Sequence, residues 1–143
     1  MSQPSTPVAR FFQTYQLHNS SGDLPAIVSH FADTFLAVGP QGAQCVRATD
    51  FAIALPKRKQ LFESLGSQST ALVSLQETPL DARYVLARTQ WQMTFDREGN
   101  TQSILVDSTF LLDTGNADVK ILLYLPHQDI MQVLKDRGIL RPD

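Results

Sequence analysis

The side chains best suited to chemistry in this chain are few: Asp107 and Tyr15, with His30 behind them. A carboxylate, phenol or imidazole inside an otherwise dry pocket can move a proton, because desolvation shifts its pKa toward working pH. Tyr15 and Tyr124 offer a second capability, since a buried phenol needs a partner and can donate to a ligand carbonyl. His30 titrates near neutrality and precedes Asp33 by one helical turn, although the exposed side of a second helix is the simpler place for it. His127, beside Asp129, reads as the start of a last helix rather than as a proton carrier. His30 and Asp33 make only two metal ligands and no third is near, so no metal is expected. There is no HExxH, GxSxG, phosphate-cradling glycine loop or dinucleotide fingerprint, so no cofactor is expected either.

A second group of residues could bind rather than react. Along segment 83–95, strand parity separates Val85, Ala87, Thr89, Trp91, Met93 and Phe95 from Arg88, Gln90 and Gln92, and the first set should face inward. Trp91 with Phe31, Phe35, Phe51, Phe110 and Tyr124 could give a flat, apolar ligand aromatic walls. As plain core aromatics the same residues would fill the interior. The two readings diverge only if a hollow stays open.

These residues must be held by elements that the pattern outlines. Residues 1–6 read as a short polar tail ending in a helix N-cap, and Pro7 suits the first helical position. Val8, Phe11, Phe12 and Tyr15 make one apolar stripe. Asp23 can cap a second helix whose face continues through Ile27, Val28, Phe31 and Phe35, with a possible strand in the run from Phe35 to Val38 before the Gly39–Gly42 break. A segment from Thr49 to Leu55 is interrupted by Pro56, and a firmer helix runs from Lys57 to Leu65 and stops at Gly66. Lys57-Arg58-Lys59 reads as its solvated face.

From Ser69 the chain becomes rich in β-branched and aromatic residues, in segments 70–78, 83–95, 102–112 and 119–125 separated by turn signals. This predicts a four-strand antiparallel meander. Several of its strands are about twice the usual length and must curl, given the twist of each strand. A last helix spans 128–137. Helices first and strands after them make an α+β fold with segregated layers.

At 143 residues the chain fits one domain that buries about 70% of its unfolded surface. With 43% hydrophobic and 18% charged residues and a net charge of −2, it offers nucleic acid or an anionic membrane no general attraction. The single Cys45 cannot form an internal disulfide, and neither an apolar leader nor a membrane-length apolar run is present. A cytoplasmic protein is expected.

Ser21-Gly22-Asp23-Leu24 followed by His30-Phe31-Ala32-Asp33, with Phe110-Leu111-Leu112-Asp113-Thr114-Gly115 in the last hairpin, resembles the nuclear transport factor 2-like superfamily. That group includes SnoaL-like polyketide cyclases and ketosteroid isomerases. The resemblance implies a strongly curved antiparallel sheet wrapped around the N-terminal helices into a cone, with a deep apolar pocket open at one end, and commonly a homodimer. Ile121 to Leu125, apolar on both strand faces, also wants cover on both sides. The base of the ketosteroid isomerases falls near Gly39 and their second aspartate near Ser108, and neither residue can do that job. Asp107 is one residue away, which points it to the opposite face unless a bulge intervenes.

The leading expectation is therefore a cofactor-free pocket protein for a small apolar molecule, with isomerase, cyclase or dehydratase chemistry within reach. The alternative is a non-catalytic interaction or adaptor module that works through Arg88, Gln90 and Gln92 on the outer sheet face.

Overall fold

The computed structural model describes residues 6–40 and 42–139. Thr6 starts the first helix: its hydroxyl accepts the Ala9 N–H at 3.0 Å and Pro7 follows in the first turn, giving α1 over Pro7–Ser21. The rest of the expected tail, residues 1–5, lies outside the described residues. Gly22, at φ +71°, reverses the chain with its N–H on the His18 carbonyl. Asp23 then caps α2, Leu24–Ser29.

Here the structure corrects the sequence reading, which carried this helix through Phe31 and Phe35. The helix stops at Ser29 because the sheet takes the chain from His30 onward. The Ile121 N–H donates to the His30 carbonyl at 2.8 Å, and β1 (Phe31–Gly39) runs parallel to β6 (Lys120–Pro126). A spacing of four fits a strand as well as a helix, because residues i, i+2 and i+4 share one strand face, so Phe31 and Phe35 bury together from β1. The next strand, β2 (Gly42–Arg47), was not anticipated. It pairs antiparallel with β1, with Gly39 opposite Gly42 at φ +114°, and it is almost wholly exposed, so it carries no apolar alternation.

The expected break at Pro56 is also absent. Helix α3 (Ala48–Ser64) runs through it. The amide that Pro56 lacks would have bonded the Ala52 carbonyl, and both residues are exposed, so water can serve that carbonyl instead.

The meander forms as expected and runs a little longer, with β3 (Ser67–Pro79), β4 (Tyr84–Arg97), β5 (Asn100–Asp113) and then β6. The sheet order is β2-β1-β6-β5-β4-β3, open at both edges. Near the turn after β5, the Arg83 guanidinium grips Asp113 with two hydrogen bonds of 2.8 and 2.9 Å, which together with the Gly115 N–H hold that carboxyl down to about 2. A Cβ on Gly115 would come within 2.7 Å of the Arg83 side chain, so a larger residue there would force that side chain to shift. After the sheet, Asp129 caps the short α4 (Ile130–Asp136), whose Leu134 is fully buried.

The curvature of the sheet follows from α1. Tyr15 packs on Phe31 of β1 with ring centroids 6.3 Å apart, while its neighbour Gln16 accepts the Leu72 N–H of β3 at 2.7 Å. In the strand order β1 and β3 are four steps apart, about 19 Å across a flat sheet, yet one helix of about 10 Å diameter touches both. The sheet must therefore bow around α1. The Leu72 amide is free for this bond because the β3–β4 ladder shifts register between Leu72 and Ser74.

Replacing Gln16 with alanine should leave the Leu72 amide without its acceptor and lower stability by about 1–3 kcal/mol. Native-state hydrogen exchange reports it directly: Leu72 should lose protection selectively, and unchanged protection would contradict this role for Gln16.

Candidate functional site

The inner sheet face and the three leading helices enclose a cavity of about 530 Å³. Its walls come from alternate positions of the long strands. Thr89, Trp91, Met93 and Phe95 of β4 are all buried, as strand parity requires, while Arg88 and Gln92 face solvent. Phe31 and Phe35 project from β1, Phe110 from β5, Tyr124 from β6 and Phe51 from α3, and every one of them lines the cavity together with Trp91. The rings brace one another: Phe31 lies 4.6 Å from Phe35 and 4.7 Å from Phe51, and Phe110 lies 5.1 Å from Tyr124.

Trp91 is anchored from behind. Its indole N–H donates to the Thr89 hydroxyl at 2.8 Å, and that hydroxyl donates to the Ser108 carbonyl at 3.1 Å. The indole thus spends its polar handle on the wall and presents an apolar face.

The hydroxyl-bearing residues that line the cavity include Tyr15, Tyr124 and Ser108, which stand among the aromatic walls, and Ser67, Ser69 and Thr70 of β3. Burial, and then the neighbouring Tyr124, push the Tyr15 phenol well above its ordinary value, against the opposing pull of Arg58 and Asn19. Tyr15 is therefore a neutral hydrogen-bond donor at any ordinary pH. The Ser108 hydroxyl makes no hydrogen bond to a described residue and stands where the second aspartate of a ketosteroid isomerase was aligned.

The other sequence candidates lie elsewhere. Asp107 is outside the cavity, half-buried on the outer face, where its carboxylate accepts from the Gln128 side chain at 3.0 Å while its own N–H donates back to Gln128 at 2.7 Å. No bulge turns it inward, because the β4–β5 register is unbroken and pairs it with Gln90. His30 also stays outside. It caps the end of α2, edge-on to Phe11 and 2.7 Å from His18 nitrogen to nitrogen, rather than on an exposed helix face. Asp33 is exposed on β1, so the helical turn once drawn between them does not exist. Gly39, where the isomerase base was aligned, borders a separate surface hollow with His127, whose Nε2 lies 2.6 Å from the Thr109 hydroxyl. Cys45 is exposed on β2. Among the described residues no cluster of three or more His, Cys, Asp or Glu could hold a metal ion, and no helix is long and apolar enough to cross a membrane.

The sequence reading missed the mouth. Arg58, Lys59 and Glu63 of α3 line it opposite Asn19, Ser20 and Ser21 at the end of α1. The signal was present: Phe51, Leu55, Arg58 and Phe62 follow one helical stripe, so Arg58, exposed with Lys57 and Lys59 as the solvated-face reading has it, also borders the cavity.

No protein-family model and no curated protein matches the chain. Solved structures do. A nuclear transport factor 2-like protein with a cystatin-like fold from Novosphingobium aromaticivorans superposes with a TM-score of 0.71 at 11% identity, over 95% of this chain and 88% of that one. A ketosteroid isomerase-like protein from Erwinia carotovora atroseptica gives 0.65 at 13%, over 90% and 99%. The beta subunit of a benzoate 1,2-dioxygenase from Burkholderia mallei gives 0.66 at 12%, over 88% and 91%. The chain therefore has the nuclear transport factor 2-like, cystatin-like α+β fold. At such identities the likeness is one of fold, and it is shared by proteins described in quite different terms.

Two outcomes follow for the walls and the flank of this site. Thr89→Val strips the acceptor from the buried Trp91 N–H and should cost about 1–3 kcal/mol in denaturant unfolding; an unchanged midpoint would contradict the anchor. His30 is held down to about 4, first by burial and then by His18 and Lys120, with Asp118 pulling weakly the other way. Between its unfolded value of about 6.5 and that level, the unfolded chain binds a proton that the folded one refuses. Stability should thus fall as pH drops through this window, and His30→Gln should flatten that slope in melting-temperature profiles. An identical slope would assign the acid sensitivity to other groups.

Proposed function

We propose that this chain binds a small, largely apolar molecule in the cavity between its sheet and its helices. One observation carries the reading: the aromatic side chains brace one another and still leave about 530 Å³ open, within the size range of small-molecule sites. A core built only for stability would close on itself.

The hydroxyls of Tyr15, Tyr124 and Ser108 add a chemical direction. They can donate to a ligand carbonyl oxygen and would stabilise negative charge as it develops there, which is the demand made by isomerase, cyclase or dehydratase chemistry. Tyr15 suits this role because it stays neutral and protonated. Abstraction of a proton from such a ligand falls to Glu63, the carboxylate among the described lining residues, and not to Asp107. The exposed Cys45 thiol suits a reducing compartment and hence a cytoplasmic protein.

Flat hydrophobic ketones should raise the melting temperature and change the fluorescence of Trp91, the single tryptophan. A ligand at 100 times its Kd stabilises by about 2.7 kcal/mol. Ala37→Phe and Ser108→Leu, which push bulk into the cavity, should fold and lose the response. Binding that survives in both filled variants would place the ligand elsewhere and overturn the reading.

A further inference from the structure

The cavity's charge is concentrated at its mouth. Arg58 and Lys59 of α3 both line it, and among the described residues neither has a carboxylate within ion-pair distance. Arg58 rests with its guanidinium 5.3 Å from the centre of the Phe62 ring, and its charge bears on the Tyr15 phenol, so its field extends into the cavity. Lys59 reaches across the opening to the end of α1: its Nζ would stand 3.1 Å from a Cβ placed on Gly22. The opposing charge at this rim is Glu63, one turn further along α3 from Lys59. Two cations against one anion leave the rim net positive above an aromatic interior.

From this arrangement we infer that the ligand is an amphiphilic organic acid, with an apolar ring body among Phe31, Trp91 and Phe110 and a carboxylate held at the mouth by Arg58 and Lys59. The inference rests on the proposed binding function and gives its ligand a charge and an orientation. Arg58 offers the carboxylate a planar fork of donors and Lys59 a compact charge on a flexible stem. The low-dielectric wall on one side strengthens both attractions relative to open water. Glu63 disfavours a second negative charge, so the acid is a monoanion rather than a phosphate ester or a diacid.

Matched probe pairs test this by isothermal titration calorimetry: 2-naphthoate against 2-naphthalenemethanol, and biphenyl-4-carboxylate against biphenyl-4-methanol. Quenching of Trp91 reports that each probe sits in the cavity. In the unaltered protein at low ionic strength, each acid should bind about fivefold or more tightly than its alcohol, and added salt should narrow the gap. The double variant Arg58→Gln/Lys59→Gln should erase the preference while leaving alcohol binding unchanged. Glu63→Gln should shift the acids the other way, toward tighter binding. Alcohols that bind as well as their acids, or a double variant that weakens both alike, would overturn the inference and leave the apolar binding function standing. Failure of acids and alcohols alike to bind would remove that function, and this inference with it.

Discussion

Strands of 13 and 14 residues paired along nearly their whole length accumulate so much right-handed twist that the sheet cannot remain flat. What sets the direction of the bend is α1. Adjacent residues of that helix, Tyr15 and Gln16, meet strands at opposite sides of the sheet, one through ring packing on Phe31 and the other through the Leu72 amide. Phe12, fully buried, fills the space between by packing on both Trp91 and Phe110. The helix is a former around which the ladder is wound, and the concave face it creates is the origin of everything functional in the molecule.

A concave sheet holds a void only where its inner side chains stop short of one another. Large rings stand on β1, β4, β5, β6 and α3, but Ala37 and Ser108 occupy lining positions between them where bulk would close the chamber. The walls are stiff because their polar atoms are satisfied within the protein: no fully buried side-chain nitrogen or oxygen among the described residues lacks a hydrogen-bond partner. The hydroxyls of Tyr15, Tyr124 and Ser108 lie among the aromatics, and Arg58 and Lys59, without an ion-pair partner among the described residues, lie at the opening. This division of an apolar interior with sparse donors from a charged rim gives a ligand both a body and an orientation.

How much of this could be read from residue order depends on the kind of signal each element carries. Period-two alternation in β4 separates buried Trp91, Met93 and Phe95 from exposed Arg88 and Gln92, and it reveals the inner face without ambiguity. Phe31 and Phe35 misled because a spacing of four satisfies a helix and a strand alike, and the pairing that selects the strand comes from β6, about ninety residues away in the chain. An exposed edge strand such as β2 has no apolar face and leaves no periodic trace. Pro56 is a helix breaker in isolation, but packing of Phe51, Leu55 and Phe62 carries α3 past it. The aromatic walls were legible as a set because each is large and apolar. Arg58 and Lys59 were not, because a solvated basic triplet on a helix gives no sign of bordering a cavity until the stripe through Phe51, Arg58 and Phe62 is traced.

The wrapped sheet matters only if the chamber it makes is open and apolar. A crystal pressurised with xenon tests that most directly, since the gas is drawn to unfilled apolar space and announces itself by anomalous scattering. The account predicts xenon bounded by Phe31, Trp91, Phe110 and Tyr124, with the walls unmoved. A crystal in which those rings meet and exclude the gas would contradict it.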